Sequence, residues 1–320
     1  MTPGTTHTYS GMLPGVVAGH YAAAEAQIDL ARLAERAGAR LLLDRAVALK
    51  PAEKSLWLEK AGALRYDLLS LDVGSLPDTR VPGSDLHAVP VKPFEQFLQK
   101  GVRARSAERV AVVGAGAAGV ELAMAMRHAS PRAAVTLYSD REMFSGRLAE
   151  RIARALERNG VTVRKDTAVE SVELGPAILS RGQREPFDLV LWSAGPAPQR
   201  WLAEAGLACD ERGFVLVDRS LRSASHPEVF AAGDCATLRD APHPKSGVYA
   251  VRHAAVLAEN LKHALREEEL LQYEPQRQSL VLLSCGGKYA VATRGGWSAE
   301  GAWVWRWKDW IDRRWVRSFG

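Results

Sequence analysis

The stretch ERVAVVGAGAAGVELAMAM, from Glu108 to Met126, limits what this chain can fold into more than any other segment. RVAVVG is an apolar run that predicts a buried strand, and it leads through a glycine-rich turn into a helical pattern. In GAGAAG, Gly114 permits the tight turn, Gly116 lets backbone approach a pyrophosphate, and Gly119 allows the helix to pack closely on the strand. The phosphates would then meet unpaired N–H groups at the positive end of the helix dipole. Folds of this kind usually open with such a motif, yet here it lies well inside the chain.

An internal repeat accounts for its position. YDLLSLDVGSLP, from Tyr66 to Pro77, resembles FDLVLWSAGPAP, from Phe187 to Pro198: each has an aromatic residue, an Asp, an apolar run, then Gly and Pro. Upstream, GARLLLDRAVALKP from Gly38 lines up with NGVTVRKDTAVESV from Asn159 at nearly the same offset, about 122 residues. Each copy reads as a helix, a strand, a polar hairpin-like stretch and a second strand ending at glycine, the back half of a nucleotide-binding α/β unit. Only the second copy also shows a front half, with Gly114 and the strand AAVTLYS. The corresponding loop of the first copy would fall before Met1, so the expectation is a first unit that is truncated at its N-terminus, through a misassigned start or a fragment.

The choice of nucleotide rests on the end of VTLYSDRE, about 20 residues past the glycines, where a ribose-binding acid is expected. Asp140 there favours NAD, while Ser139 with Arg141 could accept the extra phosphate of NADP. Glu121, just past the last glycine, faces the same site if the helix begins there, although an acid in a first turn is also ordinary dipole compensation.

A second informative segment is HPEVFAAGDCATL, from His226 to Leu238, an apolar strand running into Gly233 and Asp234. With PKSGVYAVRHAAVLAENLKHAL downstream, it closely resembles the flavin-binding part of the pyridine nucleotide-disulfide oxidoreductase superfamily. That resemblance implies that Asp234 binds the ribityl chain of FAD. It also implies that the helix opening near Lys245, Gly247, Val248 and Tyr249 points at the pyrimidine edge of the isoalloxazine, where N–H groups and a cation would stabilise negative charge on a reduced flavin. Val47, Gly74 and Gly195, the last two at the ends of the repeated strands, complete the implied cofactor-binding set.

Three cysteines, Cys209, Cys235 and Cys285, lie far apart, with no CxxC pair and no metal-ligand spacing among the eight histidines. The disulfide reductases of the superfamily carry a close cysteine pair, so another acceptor is expected. TYSGMLPGVVAGHY, the LDVGS strand end, KSGVYAVRHAAVLAENL and TRGGWSAEGAWVWRWKDWIDRR look like flavoproteins related to type II NADH dehydrogenases, especially those associated with selenide, water dikinase. This implies hydride transfer from NAD(P)H to FAD and on to a small-molecule acceptor, with a quinone first and a selenium compound second. No general base is assigned, because the cofactors react directly once stacked. The rival is an inactive NAD(P)H-binding module with a vestigial flavin half.

The expected fold class is α/β, with two Rossmann-like dinucleotide-binding domains. A discontinuous FAD domain occupies residues 1–104 and 201–277, an NAD(P)H domain at 105–200 is inserted in it, and an interface or membrane-contact region follows at 278–320.

On the C-terminal helix, Trp303, Val304, Trp307, Trp310, Ile311 and Trp315 share one face, with Arg306, Lys308, Asp309, Asp312, Arg313 and Arg317 mostly opposite. That face would dock on the flavin domain or on a second copy in a homodimer, or lie in the plane of a membrane. The net charge of +5 suits anionic partners. Nucleic acid is not expected, since no other basic cluster interleaves with aromatics. MTPGTTHTYS lacks the pattern of a signal peptide, so the expected location is cytoplasmic, peripheral to the inner membrane face if the helix touches lipid.

Overall fold

In the computed structural model, which describes residues 1–100, 106–142 and 144–320, the chain divides into two compact units. One comprises Met1–Thr5, Ala34–Leu76 and Pro196–Arg277, the other Thr6–Leu33, Pro77–Gly195 and Gln278–Gly320.

The second unit is built on a five-stranded parallel sheet whose neighbours run Val161–Arg164, Ala134–Tyr138, Arg109–Val113, Leu189–Trp192 and Val89–Pro90. The three central strands are largely buried apolar runs, as a parallel sheet covered on both faces requires. Val110, Ala111 and Val112 are fully buried. The helix Ala117–Ala129 contributes Val120, Leu122, Ala123, Met124 and Met126 to the core on one face. Beside the sheet stands an antiparallel meander of Ser171–Glu173, Ala177–Ser180 and Gln183–Pro186.

The first unit repeats that meander as Ala46–Lys50, Ser55–Leu58 and Gly62–Arg65. Asp44 ties it down by accepting backbone N–H groups of Arg45, Lys60 and Ala61. In each copy the strand ending at glycine follows, Leu69–Leu71 here and Leu189–Trp192 there. Leu69–Leu71 pairs in parallel with Val229–Ala231, and Val215–Val217 with Ala236–Leu238. Leu71, Val217, Val229, Phe230 and Leu257 pack together, the last from the helix Gly247–Leu265. The strand expected around Leu41–Leu43 is reduced to an isolated parallel bridge between Thr2 and Leu43.

The division departs from the expected domains. The boundary at 104/105 lies outside the described residues, but residues 6–33 and the strand Val89–Pro90 belong with the second unit rather than with the flavin half. The cause is long-range packing. Leu13 and Val17 join the core around the Ala117–Ala129 helix, and Val89–Pro90 pairs with Leu191–Trp192. The region 278–320 lies within the second unit. Its meander Val281–Ser284, Ala290–Arg294 and Trp297–Gly301 packs in the same unit, where Gly286 at φ +80 comes so close that a Cβ would lie 2.7 Å from the Met124 carbonyl oxygen.

Of the expected face of the C-terminal helix Ala302–Arg317, Val304 turns inward, joined by Trp305, Lys308 and Asp312 from outside that face. Val304, Trp305, Lys308 and Asp312 are buried, while Trp303 and Trp310 are about half exposed, at 50% and 57%. The physical reason is mutual neutralisation: Lys308 donates to Asp312 at 2.6 Å and to the Gly11 carbonyl at 2.6 Å, and Tyr9 donates its hydroxyl to Asp312. Removing one partner of a buried pair strands the other charge. Asp312→Ala is therefore expected to destabilise this unit by about 3 kcal/mol or more, read from the Trp305 fluorescence during urea unfolding. The double substitution Lys308→Met/Asp312→Leu should recover much of that loss.

Candidate functional site

In the second unit the glycine turn has the shape that its sequence predicts. Gly114 sits at φ +94, and a Cβ there would lie 2.5 Å from the Ser193 carbonyl oxygen. A Cβ at Gly119 would lie 1.8 Å from the Gly114 carbonyl oxygen, so the first turn of the helix rests directly on the loop. Gly116 differs: nothing lies within 4 Å of its Cβ position, and it caps the helix without any side-chain hydrogen bond. Two glycines are thus spent on internal packing and one faces open space, where an anion would meet the unpaired N–H groups of the helix. Gly195 is open in the same sense, and its carbonyl accepts from Asp78 N–H at 2.8 Å.

At the end of the adjacent strand, Asp140 and Arg141 are exposed and paired with each other at 3.2 Å. Ser139 is buried, its hydroxyl donating to the Arg141 carbonyl. Glu121 lies on the same helix, but its Oε1 accepts the Ser284 N–H at 2.7 Å, which engages it with the C-terminal meander. Desolvation pushes its carboxyl up to about 7, against the pull of Lys308.

The remaining expected residues gather in the first unit. Gly233 turns the chain at φ +68 directly after the Val229–Ala231 strand, and a Cβ there would lie 2.7 Å from an oxygen of Asp72. Asp234 follows and accepts a hydrogen bond from the Ser75 hydroxyl at 3.0 Å. Gly74, at φ +63, has open space where a Cβ would be. The 19-residue helix Gly247–Leu265 begins with Gly247 and Val248 exposed, and its cap, Ser246, makes no side-chain hydrogen bond, leaving the first N–H groups to a ligand or solvent. Tyr249 stacks on His243 with ring centroids 4.1 Å apart.

The Lys245 amine is committed inside the unit. It donates to the Ala236 carbonyl and, at 2.8 Å, to the Thr237 hydroxyl, which itself donates to Asp210, and it lies 4.3 Å over the Phe214 ring. Burial lowers it to about 8 in spite of the nearby Asp210 and Asp234. Val47 sits at a register shift between Ala46 and Ala48, with its side chain exposed.

A family described as pyridine nucleotide-disulphide oxidoreductase matches residues 1–256. The chain belongs to this family. Among curated relatives, it is 26% identical over 269 residues to ferroptosis suppressor protein 1 of Taeniopygia guttata, covering 78% of this chain and 70% of that protein. It is 34% identical over 200 residues to the NADH dehydrogenase-like protein Rv1812c of Mycobacterium tuberculosis, covering 54% and 49%. Against several such relatives the chain spans only about half to 60% of their length. Among solved structures, the sulfide:quinone oxidoreductase of Aquifex aeolicus superposes with a TM-score of 0.82 at 14% identity, covering 100% of this chain and 86% of that one. The water-forming NADH oxidase of Lactobacillus brevis gives 0.75 at 23%, covering 90% and 67%. These likenesses confirm the two-domain α/β architecture.

Sequence reasoning missed Ser75, His243 and His253. Ser75 follows the repeat glycine but had no partner in view, and the histidines are joined only by the fold. Burial pushes the thiols of Cys235 and Cys285 up to about 12, which makes both inert at neutral pH.

The glycine geometry separates packing from binding. Gly119→Ala is expected to lower the unfolding temperature by several degrees, because its methyl group has no room. Gly116→Ala should leave that temperature unchanged, as calorimetry of the two variants would show.

Proposed function

We propose that the chain is an NADH-oxidising flavoprotein that passes electrons to a small-molecule acceptor, with a quinone as the first candidate. The observation that carries this reading is that each unit has its own glycine turn at the end of a parallel strand, Gly114–Gly119 in one and Gly233–Asp234 in the other.

The residues suit the two cofactors. Gly116 and the N–H groups behind it would hold the nicotinamide nucleotide's pyrophosphate, and Asp140 would accept from the ribose hydroxyls. With Ser139 buried and its hydroxyl donated to the Arg141 carbonyl, that hydroxyl is not free for the extra phosphate of NADP, which favours NADH. In the first unit Asp234, oriented by Ser75, would accept from the ribityl hydroxyls of FAD. The N-terminus of the Gly247–Leu265 helix would stabilise negative charge at the pyrimidine edge. FAD, when bound, supplies the two-electron step between nicotinamide and acceptor. No described side chain is needed as a general base, and Glu121, near neutrality at about 7, is held by Ser284.

A quinone is favoured by the absence of a close cysteine pair and by the likeness to a sulfide:quinone oxidoreductase. Among the described residues no helix is long and apolar enough to cross a membrane. The exposed Trp303 and Trp310, with Arg306, Arg314 and Arg317, give the C-terminal helix an outer face suited to lipid headgroups, which would bring the protein to a quinone pool.

The deciding experiment is the visible spectrum of the purified protein before and after anaerobic addition of NADH. Flavin bands that bleach are expected. A colourless protein that FAD cannot reconstitute would overturn the reading. Within it, Asp234→Ala should weaken FAD binding about tenfold or more, the loss of a charge-assisted hydrogen bond, and Gly116→Ala should weaken NADH binding with FAD retained. Sedimentation with anionic phosphatidylglycerol vesicles tests the lipid surface: Trp303→Ala/Trp310→Ala should release the protein several-fold without changing NADH oxidation by a soluble acceptor.

A further inference from the structure

The sharp turn at Gly233 leaves its N–H without a backbone acceptor, and a histidine supplies one. His253, on the second turn of the Gly247–Leu265 helix and 1% exposed, presents Nδ1 to the Gly233 N–H at 3.1 Å. Its Nε2 lies 3.1 Å from Nε2 of His243. The other ring nitrogen of His243, Nδ1, lies 3.2 Å from the Pro244 carbonyl oxygen.

These contacts fix the protons. Nδ1 of His253 accepts from the amide and is bare, so in the neutral ring the proton is on Nε2. That proton points at Nε2 of His243, which must be the bare nitrogen there, and Nδ1–H of His243 donates to Pro244. Every donor meets an acceptor, and one direction runs through the chain from Gly233 to Pro244. A further proton on either ring would set two donors face to face. The rings are also held by packing: His243 stacks on Tyr249, and Tyr273 meets His253 edge-on with centroids 4.6 Å apart.

We infer that His253, with its tautomer locked by His243, is a positioning residue that holds the Gly233–Asp234 turn in the shape that presents Asp234 to the flavin. This rests on reading that turn as part of the flavin site. The dyad is not a proton wire to the cofactor, because its inner end is a backbone amide.

Electrostatics agree with neutral rings. Desolvation, then His243 and Lys245, lower His253 to about 4, and desolvation lowers His243 although Asp234 opposes it. Arg252 acts on the neighbouring Tyr273. Since His253 binds its proton less readily in the folded chain than the usual 6.5, its contribution to stability is full above pH 6.5 and is lost as pH falls toward 4.

The test uses isotope-labelled full-length protein in three forms: unaltered, His253→Gln and His253→Leu. Gln can accept at Oε1 and donate at Nε2, whereas Leu fills space and does neither. Nitrogen spectra of the rings should show a bare Nδ1 on His253 and a protonated Nδ1 on His243. The Gly233 amide should exchange with deuterium slowly in the unaltered chain and in His253→Gln, and about tenfold faster in His253→Leu. The FAD dissociation constant should follow the same order, about tenfold weaker with Leu.

A protonated Nδ1 on His253, or Gly233 exchange that His253→Leu leaves unchanged, would overturn the inference. The ring spectra need no variant, so they decide even if His253→Leu does not fold. If no form binds FAD while Gly233 exchange still follows His253, the flavin reading falls and the support of the turn stands.

Discussion

The close seating of the Ala117–Ala129 helix on the end of its parallel strand is the constraint from which the second unit is built. The approach of Gly119 to the Gly114 carbonyl fixes where the helix starts, and so which way its first N–H groups point. It also fixes the back of the helix, where Met124 meets Gly286 and Glu121 meets Ser284. One helix therefore leaves open space at its N-terminal Gly116 and supports the C-terminal meander along its length. A shift of that helix large enough to admit a Cβ at Gly119 would have to be absorbed by both.

The two units solve the same problem with different materials. In the second, the turn is shaped by backbone against backbone, and only glycine fits. In the first, Gly233 again adopts a left-handed conformation, but the surrounding contacts come from side chains: Asp72 against the turn, Ser75 on Asp234, and His253 under the Gly233 N–H. Side-chain contacts depend on protonation and tautomer, which backbone contacts do not. Burial beside His243 and Lys245 holds His253 below the ordinary histidine range, so the turn of the first unit is the one expected to respond to acid.

Local pattern carried the parts of the fold that are local. The repeat marked by YDLLSLDVG and FDLVLWSAG appears as two meanders, each followed by a strand, and GAGAAG takes the conformation its spacing demands. What failed was set by distant partners. Nothing in TYSGMLPGVVAGHY shows that Tyr9 and the Gly11 carbonyl will meet Asp312 and Lys308, about 300 residues away. Sequence order alone groups that segment with residues 34–76, and hydrophobicity alone orients the C-terminal helix by its tryptophans. The His243–His253 pair escaped for the same reason, since a loop residue and a helix residue ten positions apart have no shared periodicity.

The buried ion pair also bears on the outer face of the C-terminal helix. Trp305 takes the inward position near Tyr21 and His20, so the helix has met its need for apolar burial before Trp303 and Trp310 are counted. Those two remain exposed beside Arg306 and Arg314, although a tryptophan in water costs hydrophobic free energy that a polar residue at the same position would not. Arg314 already lies over the Trp310 ring, and Trp303 stacks on Trp307, so the exposed rings are pre-arranged rather than free to turn inward. Side chains held by such ring contacts keep less rotamer freedom to lose than free ones would. The inward face thus combines the Lys308–Asp312 pair with Val304 and Trp305, and the outward face sets Trp303 and Trp310 among Arg306, Arg314 and Arg317.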